Sequence, residues 1–416
     1  MPELDKPVPP MSIRQATFYF ALVYFSQGVS QVVCLLNQPL RMYLQDVAKL
    51  DASGIANFMF VVTIPWMIKP LYGLLSDFVP IFGYRRKSYL LLMNMLAAAG
   101  FLLVMGVRST STVMIALTLT GVGVAASDVV VDAIMVQTGQ RTGRTRLFQG
   151  AQWFSINIAA IISGLLGSAI CHRFADDALA ALRSASLIAM LLPFVVAVLT
   201  WFIIHDQRAS MNLPEFAATG RALFGAFKSL RLWLVVAFIF LVRFNPGLQT
   251  PMYDHLESKV GISHSYLALL DTSFSGGQVL GSLIFMLAMS RQLSVKQSMT
   301  IGLIVGATGV ALLLFSTNKT VATLMFGGWG ITDMIVTLSY LTIAAQACPK
   351  RVEAVVFAAL MSVSNLSWSW ADVVGSKLYD GPLHHQINPL IIFSAAVTAA
   401  GLLLLPLLKP ADDAQA

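Results

Sequence analysis

Charged side chains are scarce in this chain of 416 residues. Asp, Glu, Lys and Arg together make up 11% of it, against about 25% in typical soluble proteins. Apolar residues make up 57% and are spread along the whole length, not gathered in one anchor. These proportions exclude an ordinary soluble protein and predict an all-α polytopic membrane protein, with the lipid bilayer as its solvent.

Long polar segments and alternating strand patterns are also missing. The apolar runs are continuous, so helices, not strands, must satisfy the backbone hydrogen bonds within the bilayer. The polar gaps between the runs are too short for a sizeable soluble domain. Any activity is therefore expected within the membrane, and because no Walker A motif is present, ATP is not expected to drive it.

Metal-binding and catalytic patterns are absent as well. The three cysteines, Cys34, Cys171 and Cys348, are far apart and show neither metal-ligand spacing nor a disulfide framework. The six histidines lie mostly at span ends or in loops, and no metal-spaced pair falls within a span. The sequence therefore predicts no metal, no cofactor and no enzyme.

Apolar runs bounded by charges, Pro and Gly predict about twelve spanning helices, each near the length of about 20 residues that a bilayer requires. The predicted spans are residues 15–38, 54–76, 88–107, 111–137, 146–171, 182–204, 231–252, 264–290, 297–316, 320–346, 353–377 and 387–408.

Positive charge is distributed unevenly between the gaps. Most of the 27 Lys and Arg residues share a side with the two termini, including clusters at 85–87 and 141–146. Because cytoplasmic loops are enriched in Lys and Arg, both termini are predicted to be cytoplasmic, and the short loops suggest a bacterial inner membrane. The net charge of +7 then reflects topology, and no nucleic-acid partner is predicted.

The spans divide into two similar sets of six. Residues 39–46 (PLRMYLQD) match residues 251–258 (PMYDHLES) at an offset of 212, and 121–128 (GVGVAASD) match 327–333 (GGWGITD). Both matches fall in equivalent spans, which indicates a duplicated six-helix unit. We predict an N-terminal half (1–204), a cytoplasmic middle loop (205–230) and a C-terminal half (231–416), the architecture of the major facilitator transporters.

Two aspartates lie within the fourth predicted span. Asp128 and Asp132 are four residues apart, so both carboxylates lie on one helix face about one turn apart. An ionisable side chain at the bilayer centre costs about 2.5–3.5 kcal/mol, so it is either paired or functional. The pair is predicted to carry a proton in transport; the alternative is neutralisation by helix ends and a basic residue.

Two cations also lie within spans. Lys69 in span two is at a depth similar to that of Asp128, so the two can pair, either to hold the spans together or as a pair that substrate or proton breaks. Arg243 in span seven is a candidate for binding an anionic substrate. Its alternative is pairing with an acid of the C-terminal half, which carries Asp271, Asp333 and Asp372 in spans eight, ten and eleven.

Amides and tryptophans complete the predicted substrate-binding set. Gln27 and Gln31 lie on one face of span one and can bridge helices or bind substrate. Tryptophans can stack on a flat ring or simply pack. The substrate-binding prediction comprises Gln27, Gln31, Trp66, Lys69, Asp128, Gln152, Arg243, Asn245, Asp333 and Asn365.

The loop after span two combines acid and base. Gly73 and Asp77 precede the basic residues Arg85 and Arg86. A carboxylate and a basic cluster on one short loop can form a latch that breaks as the halves move. The loop resembles the gating loop of the major facilitator superfamily, G-x-L-x-D-R-x-G-R-R, with an insertion after the Asp. Asp77, Arg85 and Arg86 are therefore predicted to act in gating.

Longer motifs are similar to one family. Residues 64–77 (IPWMIKPLYGLLSD) with 79–89 (VPIFGYRRKSY), then 127–133 (SDVVVDA), then 347–354 (ACPKRVEA) with 357–366 (FAALMSVSNL) resemble the folate-biopterin transporter family of the major facilitator superfamily. The matches run through both halves. Lys69, Asp77, Asp128 and Asp132 occupy matching positions.

The resemblance implies a secondary transporter that exchanges between two access states and moves folates or pterins with protons. A monomer is predicted. The resemblance does not define the cargo. Permeases for muropeptide-like anions share a similar pattern in the first half, and so do non-transporting assembly factors for pigment or membrane proteins. The region between Arg243 and Gln278, where substrate selection is expected, matches the family least.

Overall fold

The computed structural model describes residues 11–206, 208, 213–289, 292–348 and 353–408, and these residues are almost entirely helical. Residues 1–10 and 409–416, which include both predicted cytoplasmic termini, lie outside these ranges. The N-terminal half contains α1 Ile13–Ser30, α2 Asn37–Met42 with the π-helical turn Tyr43–Val47, α3 Ala52–Met67, α4 Lys69–Phe78, α5 Lys87–Leu103, α6 Thr110–Thr142, α7 Thr145–Arg173 and α8 Ala178–Ile203.

The C-terminal half repeats this order. After the connecting helix α9 Leu213–Phe227 it contains α10 Leu230–Arg243, α11 Thr250–Ser258, α12 His264–Ile284, α13 Val295–Leu312, α14 Lys319–Ala347, α15 Glu353–Asp380 and α16 Asn388–Leu404. The segment 205–230, which the sequence predicts as a loop, thus includes a helix. The axis of α9 over 219–227 makes an angle of 72° with that of α10.

Each predicted span corresponds to one helix or to two helices in succession. Within the described ranges, nine helical segments are long and apolar enough to cross a membrane, and the bent pair of α9 and α10 passes the same test together. The two other predicted spans are α1 and α15, which are helical but shorter or more polar. The chain is an integral, multi-pass membrane protein of two six-helix halves.

Spans one and seven are broken, whereas the sequence predicts them as continuous helices over 15–38 and 231–252. In the first, α1 ends at Ser30 and α2 begins at Asn37; in the second, α10 ends at Arg243 and α11 begins at Thr250. Pro246 and Gly247 explain the second break, since Pro cannot continue the hydrogen-bond ladder. The breaks lie at equivalent places in the two halves.

Helix ends are fixed by local side chains. Ser109 and Asn318 accept hydrogen bonds from the first turns of the equivalent helices α6 and α14, which satisfies backbone donors that have no partner within the helix. Gly143 ends α6 in the left-handed region, at a φ of 68°, where glycine carries no steric penalty.

The halves meet along two helix pairs, α7 with α12 and α3 with α15. In the first, a Cβ on Gly164 would lie 2.1 Å from the Thr272 hydroxyl of the other half, so the backbones approach closely, as small residues allow in membrane bundles. We call the end that carries residues 85–87 the basic end, and the end that carries Asp51 and Asp380 the opposite end.

The second break is packed against the other helices without spare room. A Cβ on Gly375 of α15 would lie 1.7 Å from the Pro246 carbonyl oxygen. Gly375→Ala is therefore expected to destabilise the protein by about 1–3 kcal/mol or more, as overpacking does, and to lower the Tm in detergent. Gly328→Ala, at a helical position with open space, is the matched control and should leave the Tm unchanged. Equal Tm values for the two variants would contradict the close packing.

Candidate functional site

Lys69 and Asp128 form an ion pair inside the N-terminal half. The Lys69 Nζ donates to Asp128 Oδ2 at 2.6 Å, and both side chains are largely buried, with exposures of 15% and 10%. Lys69 is the first residue of α4, where the helix restarts after a break at Ile68 and carries Pro70 in its first turn. The Nζ also lies 4.6 Å from the ring centroid of Trp66, a distance at which the ring face attracts the cation.

Asp132 has different partners from those of Asp128, although it lies only one turn away. Its Oδ1 accepts hydrogen bonds from the hydroxyl of Tyr24 on α1 and from Gln152 Nε2 on α7, the latter at 3.2 Å. Among the described residues it has no ion-pair partner. Asp132 is thus held by neutral donors, whereas Asp128 is held by a cation.

The C-terminal half contains an equivalent arrangement. Arg243 Nη1 donates to Asp333 Oδ1 at 3.2 Å, and the two side chains are 17% and 15% exposed. Gln278 Nε2 donates to the other carboxylate oxygen. The guanidinium carbon of Arg243 lies 4.7 Å from the ring centroid of Trp368. Each half therefore supplies one cation, one carboxylate and one tryptophan face, and Asp333 is the partner of Arg243 among the three acids considered.

Helix α15 connects the two clusters. Asn365 Nδ2 donates to the carbonyl oxygen of Trp66 at 3.0 Å, across the boundary between the halves. Trp368, whose ring contacts the guanidinium of Arg243, lies three residues further along α15, less than one turn away. The two cation–carboxylate–tryptophan clusters therefore flank one contact between the halves.

Several buried donors near these clusters have no hydrogen-bond partner in the described part of the chain. They are Gln27 Nε2 on α1, the Tyr72 hydroxyl on α4 and Arg243 Nε. Leaving a buried donor unpaired costs about 1–3 kcal/mol. Donors of this kind are available to a bound polar molecule.

Two other predicted substrate-binding residues lie at the breaks. Gln31 is partly buried and forms the C-cap of α1. Asn245 donates from Nδ2 to the Val242 carbonyl and accepts from Thr398 at 3.0 Å. Asn245 lines a small cavity together with Arg243 and Asp333, but its amide is used within the C-terminal half.

The remaining acids considered for Arg243 lie toward the opposite end, where they join other groups. Asp271 Oδ2 accepts from Asn37 Nδ2 at 2.9 Å and from Gln38 Nε2 at 3.1 Å. Asp372 accepts from the backbone N–H and the hydroxyl of Thr250, each at 2.9 Å.

Further contacts join the halves from the opposite end to mid-depth. Arg41 Nη1 donates to the Thr250 hydroxyl at 3.2 Å. Asp380 accepts from the backbone N–H of Ser53 at 2.6 Å, so a carboxylate of one half caps helix α3 of the other. Thr63 and Ser369 share a hydrogen bond of 3.1 Å.

The predicted gating loop is held together at the basic end. Arg86 forms an ion pair with Asp77, and the backbone N–H groups of Arg86 and Lys87 donate to Asp206 at 2.7 and 3.2 Å. Arg85 lies in the same loop. These contacts tie α4, α5 and the end of α8 together within the N-terminal half.

The sequence pattern missed Tyr24 and the amide of Gln278 among the donors to the acids. Tyr24 lies three residues before Gln27 on α1, on the same face, and this spacing could have identified it. Gln278 bonds to Asp333 through the tertiary fold, and nothing local marks it. Within the described ranges, no group of three or more His, Cys, Asp and Glu side chains is arranged to hold a metal ion.

Comparison with known proteins gives a family. The model of the BT1 family matches residues 27–409. A folate-biopterin transporter of Synechocystis is 26% identical over 94% of this chain and 81% of its own length. Folate transporter 1 of Plasmodium falciparum is 22% identical over 93% of this chain and 74% of its own length.

Solved structures give the fold. A D-xylose-proton symporter superimposes with a TM-score of 0.74 at 14% identity, covering 96% of this chain and 98% of that one. The nucleoside transporter NupG superimposes with a TM-score of 0.72 at 13% identity, covering 94% and 98%. The predicted major facilitator fold is thereby confirmed.

Proposed function

Since the chain belongs to the BT1 family, we propose that it is a secondary active transporter of folates or related pterins. The prediction that it is not an enzyme is confirmed, because the family and the relatives named above are transporters.

The observation that carries the proposal is the pair of buried clusters, Lys69–Asp128 with Trp66 and Arg243–Asp333 with Trp368. A folate has a flat pterin ring with donor-rich edges and a glutamate tail with two carboxylates. A site for it needs a flat apolar surface, an acid or amide for the ring edge, and a cation for the tail. The two clusters supply each of these groups.

We assign Arg243 to the glutamate tail, because its Nε has no partner in the described part of the chain and its guanidinium can fork onto a carboxylate. Asp128 and Asp333 are the acids for the ring edge, with Trp66 beside them. Gln27, Gln31, Gln152, Asn245 and Asn365 supply amides to the site or to its frame.

Alternating access follows from how the halves are joined. The bonds of Asp271, Thr250 and Asp380 to the other half hold the opposite end closed. Movement of one half against the other would break these bonds and bring the gating residues Asp77, Arg85 and Arg86 into a new arrangement. One chain supplies both clusters, which supports a monomer as the working unit.

Orientation is proposed from charge. The basic end faces the cytoplasm, as Lys and Arg do in multi-pass proteins, so both termini are cytoplasmic and the closed opposite end faces outward. The short loops support a bacterial inner membrane.

Proton coupling is assigned to Asp132 and Asp128. Asp132 has neutral donors only, so it can become protonated without leaving a cation unpaired. When a substrate carboxylate binds Lys69, it displaces Asp128 from the ion pair. Asp128 is then left without its cation and can bind a proton. Substrate binding at Lys69 is thereby coupled to proton binding at Asp128 and Asp132, which lie one helix turn apart.

Uptake into proteoliposomes tests the function. Labelled folic acid, 5-formyl-tetrahydrofolate and biopterin are offered with and without an inward proton gradient. We expect folate accumulation that the gradient stimulates, and its loss in Asp132→Asn, with substrate-driven exchange across the membrane retained. Thr118→Ala, ten residues before Asp128 on α6 and bonded within that helix to Met114, is the control.

Two outcomes would overturn the proposal. Accumulation of a muropeptide-like anion in place of any pterin would assign another cargo. The second outcome is that folded, correctly oriented protein takes up none of the compounds, while Asp128→Asn and Asp132→Asn leave the function of the protein in the cell unchanged. It would favour an assembly factor for pigment or membrane proteins.

A further inference from the structure

Asp271 joins the two halves through its carboxylate. It lies on α12 of the C-terminal half, and its Oδ2 accepts from Asn37 and Gln38 of the N-terminal half at 2.9 and 3.1 Å. Its Oδ1 accepts from the hydroxyl of Tyr253 on α11. Asn37 and Gln38 are buried, with exposures of 7% and 1%, whereas Asp271 retains partial exposure. Asp271 is therefore less enclosed than the two amides that it binds.

The partners of Asp271 differ from those of the two ion-paired acids within the bundle. Asp128 and Asp333 pair with Lys69 and Arg243, but Asp271 forms no ion pair with any residue that the structure describes. It is bound by a tyrosine hydroxyl and side-chain amides, as Asp132 is in the other half. A carboxylate held only by neutral donors can become neutral without leaving a paired cation buried alone.

We propose that Asp271 is a proton-binding site that opens the gate at the opposite end. The deprotonated carboxylate accepts from three donors and holds α2 against α12. A proton taken from the medium at that end occupies one carboxylate oxygen and removes the negative charge, which weakens the bonds from Asn37, Gln38 and Tyr253. The proton returns to solvent when the gate closes again.

The groups around Asp271 determine how protonation acts. Arg41 on α2 is the nearby cation; it lies over the ring of Tyr253 at 4.6 Å and donates to Thr250. The thiols of Cys34 and Cys171 face Asp271 from the first break and from α7. On α15, Asp372 lies beyond Thr250. When Asp271 is protonated, Arg41 keeps its hydrogen bond to Thr250 and its electrostatic interaction with Asp372. No cation is therefore left without a partner.

Other ionisable groups lie at the same end. His264 pairs with Glu257, and His385 lies 3.8 Å from Asp380. A pH response of the wild-type protein is therefore assigned to Asp271 only if it is lost when Asp271 alone is changed.

The test measures the distance between the halves. Spin labels are placed on Val47→Cys and Lys259→Cys, both exposed at the opposite end, in a background with Cys34, Cys171 and Cys348 replaced by Ala. Electron–electron distances are recorded in nanodiscs over roughly pH 4 to 8, a range that includes the ordinary pKa values of carboxyl and imidazole groups. We expect the wild-type distribution to shift to longer distances as the pH falls.

Asp271→Asn mimics the protonated acid and should give the long distances at every pH. Asp271→Glu should retain the pH response with a displaced midpoint. Glu257→Gln is the matched control, because this acid at the same end pairs with His264 of its own half; its pH response should be preserved. Monodisperse elution shows that each variant is folded.

A wild-type distribution independent of pH would overturn the proposal, and so would an unchanged pH response in Asp271→Asn. The inference rests on the proposed transport function for its purpose, but the distance measurement contains no substrate. A wrong cargo would leave the pH-driven opening intact, while failure of Asp271 to control the gate would leave folate uptake by the central clusters untouched.

Discussion

Lys69→Met should abolish uptake and also destabilise the protein, since it leaves the Asp128 carboxylate buried without its cation. Breaking one side of a buried pair costs about 3–5 kcal/mol, so we expect a marked loss of Tm and a fall in uptake of at least about tenfold. Initial uptake rate and Tm in detergent are measured on the same preparations.

The double variant Lys69→Met with Asp128→Asn separates the two roles that the sequence leaves open. It removes both charges, so the Tm should recover to near that of the wild type. If the pair functions in transport, uptake stays low despite the recovered stability. Recovery of uptake together with Tm would show that the pair only holds α4 against α6.

Arg243→Gln should discriminate between cargoes. Loss of a charge-assisted hydrogen bond of about 1.5–3 kcal/mol to the glutamate tail predicts a rise in KM for folic acid of about 10- to 100-fold. Biopterin has no glutamate tail, so its KM should change by less than about twofold. Concentration series of both labelled compounds, measured in the same vesicles, give the comparison.

A matched variant controls for the acid that this change leaves behind. Arg243→Gln with Asp333→Asn removes both charges of the pair, and the folate-specific rise in KM should persist in it. Equal loss of folate and biopterin uptake in both variants would place Arg243 in the framework of the C-terminal half instead of at the tail.

The order and number of the spans follow from the sequence because long apolar runs report bilayer depth directly. The Lys69–Asp128 pair was predicted by the same logic, since both residues could be placed at a similar depth from the ends of their spans. Arg243 had three possible acids, and depth could not choose between them. The choice of Asp333 depends on how α10 and α14 are rotated, which only packing determines.

The contacts between halves could not be predicted. Asn37 and Asp271 are 234 positions apart, and no local pattern links them. The break after Ser30 contains neither Pro nor Gly, so the sequence does not reveal it. Pro246 and Gly247 do mark the second break, but the apolar run around them is long enough to predict one continuous span. Tyr24 and Tyr253 lie in apolar surroundings, where an aromatic residue is usually interpreted as packing.

The two matched breaks give each half a short arm, α2 or α11, joined by an unwound segment to a long helix, α1 or α10. Both arms take part in the bonds that close the opposite end. Arms that pivot at unwound segments can part while the long helices keep their places. The cross-sectional area of the protein in the membrane plane then changes little during this step. Lateral pressure in the bilayer should therefore have only a weak influence on the equilibrium between the closed and the open gate.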